Sequence, residues 1–285
     1  VGEALVDWYA TAARDLPWRR PGVDAWAVLV SEVMLQQTPV ARVEPVWRTW
    51  LDRWPAPADL AAASPAEVIR AWGKLGYPRR ALRLREAAVA VVERHGGVVP
   101  VSVPELEALP GVGTYTARAV ACFGYGQAQP VVDTNVRRVV ARLLHGRADA
   151  GTARAADLAD VLTLTPRDPE RAVRFSVAAM ELGALVCVAR TPRCGSCPVR
   201  HRCTWRLAGA PAADRPPRRG QRFAGTDRQV RGRLLDVLRA TDVPVEAAVL
   251  GAVWEDPVQR SRCLASLLAD GLVEQTSDGR FRLPR

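Results

Sequence analysis

Four cysteines, Cys187, Cys194, Cys197 and Cys203, stand within CVARTPRCGSCPVRHRC at a spacing of C-x6-C-x2-C-x5-C. Four convergent thiolates hold either a structural zinc ion or an iron–sulfur cube. Zinc sites more often join two close CxxC pairs and only one is present here, whereas an all-thiolate cube tolerates uneven spacing. A disulfide staple would require an oxidising compartment, for which the rest of the chain gives no sign. Cys122 and Cys263 fall outside the cluster and read as buried apolar residues.

Two carboxylates sit in contrasting surroundings. Glu32 lies within AWAVLVSEVML, with Val28, Leu29, Val33 and Leu35 at helical spacing around it. Glu32 either faces solvent from an otherwise buried helix or is partly desolvated; in the second case its pKa rises, and a carboxyl still protonated near neutrality is a general acid. Asp133, in QPVVDTNVRRVVARLL, precedes a helix, where aspartate caps free N–H groups; a capped carboxylate also offers a fixed negative charge to a cation in a nearby cleft. Carboxyl groups with opposite protonation suit an acid and a charge stabiliser. Gln36, Gln37 and Thr38 form an uncharged hydrogen-bonding cluster at a helix end. In LPGVGTYTARAV, Gly111 and Gly113 mark a tight bend between helices, and the N–H groups opening the second helix suit a phosphate.

These residues need helices to hold them. AWAVLVSEVMLQQ, PAEVIRAWGKL, RALRLREAAVAVVERHGG, VPELEALPGVG, TYTARAVACFGYG, TNVRRVVARLLHG and RAVRFSVAAMELGALVC all carry helical periodicity broken by Pro and Gly. The fold is therefore expected to be mainly α, with short helices around a cleft. A basic Pro/Arg-rich linker is expected over 209–228. Residues 229–285 read as three helices and a hairpin turning at Asp278-Gly279, a small winged-helix-like module that either binds DNA or serves packing.

The 285 residues are 48% hydrophobic, enough for a sizeable core, and the net charge of +10 with a pI near 10.1 points to a polyanion, nucleic acid first. Lys74 is the sole lysine, so the positive charge is almost all arginine. No stretch approaches the roughly 18 uncharged apolar residues of a membrane span, and no leader is evident. The expectation is a soluble cytoplasmic protein with reduced thiols and no membrane partner, nucleoid-associated if bacterial, and monomeric.

SEVMLQQT, WGKLGY, LPGVGTYTARA, VVDTNVRRV, MELGALVC and the cysteine tail occur in this order over about residues 7 to 205. The set resembles the helix-hairpin-helix DNA glycosylases with a [4Fe-4S] cluster, and among them the adenine-specific A/G mismatch glycosylases of the MutY family. The resemblance implies a catalytic domain over 1–208, with two helical subdomains flanking a cleft: a barrel with the hairpin at 21–125, and an iron–sulfur subdomain from 1–20 plus 126–208. It implies a monofunctional enzyme acting on double-stranded DNA with adenine opposite 8-oxoguanine or guanine, in base excision repair. Repair or replication factors are not specified. Glu32 matches the acid that protonates adenine at N7, and Asp133 the carboxylate facing an oxocarbenium-like sugar, with Tyr115 and Asn135 in support. Leu16, Trp18, Arg19 and Glu181 match adenine-pocket positions. Gln37, Thr38, Leu75 and Tyr77 match residues that enter the duplex or meet the opposite purine, and Gly111, Val112 and Gly113 match the phosphate-binding hairpin. Cys187, Cys194, Cys197 and Cys203 match the cluster ligands. Arg190, Arg193, Arg200 and Arg202 either form a phosphate-binding surface or offset the cluster's charge.

Strand-nicking relatives place a Schiff-base lysine where this chain has Tyr115, which implies hydrolysis to an abasic site. Two other readings remain: a thymine/uracil mismatch glycosylase, and a non-catalytic DNA-binding damage sensor. The chain also departs from the family pattern. KLGYP replaces GLGYY, and the segment after residue 228 is too short and too helical for the usual nudix-like domain.

Overall fold

The computed structural model describes residues 1–213 and 223–285. The order begins with α1 (Gly2–Ala12), α2 (Ala25–Leu35), α3 (Val40–Arg53), α4 (Pro57–Ala62) and α5 (Pro65–Trp72). It continues with α6 (Arg79–His95), α7 (Val103–Glu107), α8 (Thr114–Tyr125), α9 (Thr134–Leu143) and α10 (Ala156–Leu164). Then come α11 (Pro169–Leu185), α12 (Thr204–Leu207), α13 (Asp227–Arg239), α14 (Ala247–Gly251), α15 (Pro257–Ala269), β1 (Glu274–Gln275) and β2 (Phe281–Arg282). No helix among the described residues is long and apolar enough to cross a membrane.

The described chain divides into two compact units. One comprises Val1–Glu32, Val101–Ala108 and the chain from Val112 to residue 213. Here α1 and α9 pack on α11, because Val136, Val139, Val140 and Leu143 recur on one face of α9 and meet Leu5, Phe175 and Leu182. Helix α11 starts sharply, with Asp168 accepting from the Arg171 N–H and Pro169 at the first position. Helix α8 meets the start of α2 at Gly124. A Cβ on Gly124 would lie 2.8 Å from the Ala25 Cα, so only glycine permits this approach.

The other unit comprises Val33–Pro100, Leu109–Gly111 and the chain from residue 223 to Arg285. Helices α4 and α5 pack on α6. Trp50 stacks edge-on against Trp54 and Trp72, with ring centroids 4.6 and 5.6 Å apart. A second core joins Ile69 to Val230, Leu234, Leu238, Leu267 and Phe281. The hairpin pairs Glu274 with Arg282 and Gln275 with Phe281, and Gly279 takes φ 82° at its turn.

The grouping differs from the boundaries expected from sequence. Residues 21–32 and α8 belong with the helices of 126–208: α8 packs on α11, and its Ala119 and Cys122 share a core with Val131, Val173 and Met180. The 229–285 segment shares a core with Ile69 instead of standing apart. Three helices and a hairpin occur there, with an added bridge between Val245 and Phe281. Of the 209–228 linker, residues 214–222 lie outside the described residues; 209–213 are non-helical, and α13 already begins at Asp227.

Candidate active site

Helix α2 is buried on all sides, with Val28, Leu29, Val30, Ser31 and Met34 at most 2% exposed. Glu32 shares that environment at 6% exposure. Burial pushes its pKa from 4.5 up to about 7, although a hydrogen bond from Tyr115 and the Arg19 charge pull the other way, and the Asp133 charge adds to the rise. The Tyr115 phenol is pushed well above its ordinary value by burial and by the Glu32 and Asp133 charges, so it is a donor to Glu32. Gly113 leads directly into α8, and Tyr115 stands in its first turn.

Asp133 caps α9, with one carboxylate oxygen accepting the Val136 N–H at 2.6 Å and the other the Asn135 amide at 2.8 Å. The Arg138 guanidinium donates to the Asn135 Oδ1 at 2.8 Å, the Gly183 carbonyl at 2.6 Å and the Cys187 carbonyl at 2.8 Å. Gly183 is required here, since a Cβ would lie 2.7 Å from that of Asn135. Asp133 thus belongs to a hydrogen-bonded chain that ends at the cysteine loop.

Glu181 is fully buried. It accepts from the Arg14 N–H, Nε and Nη2 at 3.1, 2.7 and 2.9 Å and from Arg19 Nη1 at 2.6 Å. Burial alone would raise its pKa, but the Arg14 hydrogen bonds and the Arg19 charge hold it at about 2. A carboxylate has about four lone-pair sites. All are engaged, so Glu181 braces the two arginines, beside which Leu16 and Trp18 are each 5% exposed.

In the second unit the 36–38 and 75–77 loops meet around Arg80. Its guanidinium donates to the carbonyls of Val33, Met34, Gln36 and Gly76 and to the Thr38 hydroxyl, over the Trp72 ring. Burial lowers its pKa to about 10. Gln37 and Tyr77 hold φ values of 56° and 48°, unusual for non-glycine residues. Tyr77 is 44% exposed, whereas Thr38 and Leu75 are buried at 6% and 3%, so Leu75 does not present its side chain here as a duplex-entering residue would. At the hairpin, Gly111 has φ 77°, and a Cβ on it would lie 2.9 Å from that of Arg83. Val112 is buried, and Gly113 caps α8 without a side-chain acceptor, leaving the first-turn N–H groups to an anion.

The four cysteines line one pocket with Arg142, Arg200 and Trp205. Cys187 follows α11, and two single 3-10 turns, Cys194–Ser196 and Arg200–Arg202, bend the loop. Arg142, 3% exposed, donates to the Cys187 sulfur at 3.3 Å and to the Val188 and Ala189 carbonyls at 2.8 Å. Among the described residues no three of His, Cys, Asp and Glu come close enough to share a single ion. An all-sulfur donor set around one pocket, with a cation on the first ligand, fits a larger anionic cluster. Arg190, Arg193, Arg200 and Arg202 are all exposed around it.

Arg14, Arg80, Arg138 and Arg142 escaped the reading of the sequence. For Arg138 and Arg142 a signal existed: both sit at helical spacing near the apolar face of α9, an unusual place for a charge.

Residues 30–161 match the family described as HhH-GPD superfamily base excision DNA repair protein, and 187–203 match the iron-sulfur binding domain of endonuclease III. Cys187, Cys194, Cys197 and Cys203 are the cysteines of that iron–sulfur domain. The solved structure of a thermostable thymine-DNA glycosylase shares the fold at a TM-score of 0.66 and 27% identity, over 73% of this chain and 95% of that one. The adenine DNA glycosylase of Mycolicibacterium smegmatis is 63% identical over 280 residues, 98% of this chain and 94% of the relative. That of Mycobacterium tuberculosis H37Rv is 62% identical over 282 residues, 98% and 92% respectively. Likeness of this extent, carried through both the helical scaffold and the cysteine loop, settles the kinship: the chain belongs to the adenine DNA glycosylase family of helix-hairpin-helix base excision repair proteins.

Proposed function

We propose that the chain is a monofunctional adenine DNA glycosylase that flips adenine out of a duplex in which it faces 8-oxoguanine or guanine and hydrolyses its N-glycosidic bond. The observation carrying this reading is the buried Glu32, with a pKa near 7, hydrogen-bonded to Tyr115 and within the field of Asp133. Glu32 gives its proton to N7 of the base, and the C1′–N9 bond breaks with its electron pair going to adenine. The sugar cation left behind is stabilised by the Asp133 carboxylate, which Val136 and Asn135 hold in place. Water adds to C1′ and loses a proton, leaving free adenine and an abasic site. A phenol at position 115 has no amine to form a Schiff base with the sugar, so the strand is not nicked at that step.

Leu16, Trp18 and Arg19 supply the base pocket, and Glu181 fixes the arginine in it. Gln37, Thr38 and Tyr77 meet the duplex, while the buried Leu75 packs beneath them, and Gly111, Val112 and Gly113 hold its backbone. The four cysteines would hold the cluster, whose four thiolate bonds would tie the arginine-bearing loops together, and Arg142 positions the Cys187 sulfur for it. Incubating the protein with duplexes carrying A opposite 8-oxoguanine, A opposite G, and T or U opposite G, followed by hot alkali, tests the reading. Cleavage of the adenine strands alone is expected; an intact adenine strand at stoichiometric protein, or cleavage at T or U, contradicts it.

A further inference from the structure

In the unit that contains α3–α6 and α13–α15, a groove of about 860 Å3 opens beside Tyr77. Basic side chains dominate its walls: Arg42 from α3, Lys74 from the loop after α5, Arg79 from α6, and Arg228, Arg231 and Arg233 from α13. Two carboxylates are present, and each is already engaged. Asp270 pairs with Arg231 and Arg79, and Asp236 with Arg239 and Lys74. Arg228 and Arg233 are exposed and have no carboxylate partner among the described residues. Aromatic rings support them instead: Arg228 lies over Tyr77 at 4.6 Å and Arg233 over Trp254 at 5.0 Å. A ring face orients a guanidinium without neutralising it.

The α13 wall of the groove adds a second, independent observation. Gly232 sits in the middle of α13 and lines the groove. Glycine is the poorest helix former after proline, so the fold gains nothing locally from it. A Cβ there would meet nothing within 4 Å, and the backbone is not left-handed. Neither packing nor geometry calls for glycine, and the absent side chain leaves the α13 wall of the groove bare beside its arginines.

We propose that this groove binds the phosphodiester backbone of the DNA substrate, so that α13 and the Lys74–Tyr77 loop grip one strand. The chemistry favours a backbone over a small phosphate ligand. The two unpaired cations are exposed and lie over separate rings, Tyr77 and Trp254, along an open groove, which suits an extended polyanion, whereas a small anion needs convergent donors in a closed pocket. The module of 229–285 then has a binding task beside the packing one seen at Ile69. This inference rests on the reading of the chain as a DNA glycosylase and assigns a backbone contact to that activity.

Two variants of the full-length protein test it, with thermal melting as the check on folding. Gly232→Glu places a carboxylate on the α13 wall without removing any contact, and the double variant Arg228→Ala/Arg233→Ala removes the two unpaired cations. The readout is the Kd for a fluorescent duplex, undamaged or containing 8-oxoguanine opposite A, between about 50 and 200 mM salt. Gly232→Glu is expected to weaken both duplexes by about tenfold or more, and the double variant to lower the slope of log affinity against log salt by about 2. Wild-type affinity and slope in both folded variants overturn the proposal, as does a loss confined to the 8-oxoguanine duplex. Should Gly232→Glu fail to melt cooperatively, the double variant decides alone. A wild-type protein that binds DNA yet excises no adenine counts against the proposed activity and leaves the groove measurement readable.

Discussion

A carboxyl group inside α2 destabilises the fold when it ionises, and the sign of that effect at Glu32 is testable. Its pKa is about 7 in the folded chain against an ordinary 4.5, so the folded state holds the proton more tightly. Stability therefore falls as pH rises from about 4.5 to about 7 and stays reduced above it. Glu32→Gln should accordingly be more stable than wild type at pH 8, by up to about 3 kcal/mol, and near wild type at pH 4, as denaturant melts at the two pH values would show. Activity should also decline as pH rises through about 7, where the acid loses its proton. Tyr115→Phe removes a hydrogen bond that favours the Glu32 carboxylate, so the alkaline limb of the single-turnover rate profile should move to higher pH. A limb that stays put, or moves down, would contradict the roles given to both residues.

Helices set the distances on which this chemistry depends, and the α8–α2 crossing is held by a missing side chain. Gly124→Ala forces a Cβ to within 2.8 Å of the Ala25 Cα, an overpacking that should cost about 1–3 kcal/mol in unfolding free energy and slow excision by shifting α2. On α9, Arg142→Gln removes donors to the Cys187 sulfur and to two loop carbonyls. The variant should lose its brown chromophore faster than wild type in chelator, as visible absorbance would report. Such elements were only partly legible in the sequence. Glu32, Asp133 and the cysteines could be singled out because their signals are local: an apolar helix around an acid, a cap before a helix, a ligand spacing. Glu181 and Arg14 stand 167 positions apart, so nothing in either stretch reveals their bond. Helix α3 contains Pro45, which reads as a breaker, although Val43, Trp47 and Trp50 keep helical spacing and are buried. The core shared by Ile69 and α13 depends on apolar residues whose partner no local pattern names.

Across the whole molecule, the net charge of +10 is delivered almost entirely as arginine, including the exposed set around the cysteine loop. Affinity for duplex DNA should fall linearly in log salt, since each neutralised phosphate releases counterions. Replacing Arg193 and Arg200 with Ala should reduce that slope by up to about 2 while the chromophore survives; loss of colour and affinity together would mean that these arginines chiefly offset the cluster's charge. Excision depends above all on Glu32 as the proton donor that releases adenine. Its most direct test is a single-turnover time course of abasic-site formation in a duplex with A opposite 8-oxoguanine, comparing wild type with Glu32→Gln at matched, saturating binding. Full conversion by wild type and none by the variant is the predicted result; conversion by Glu32→Gln at a rate near wild type would contradict it.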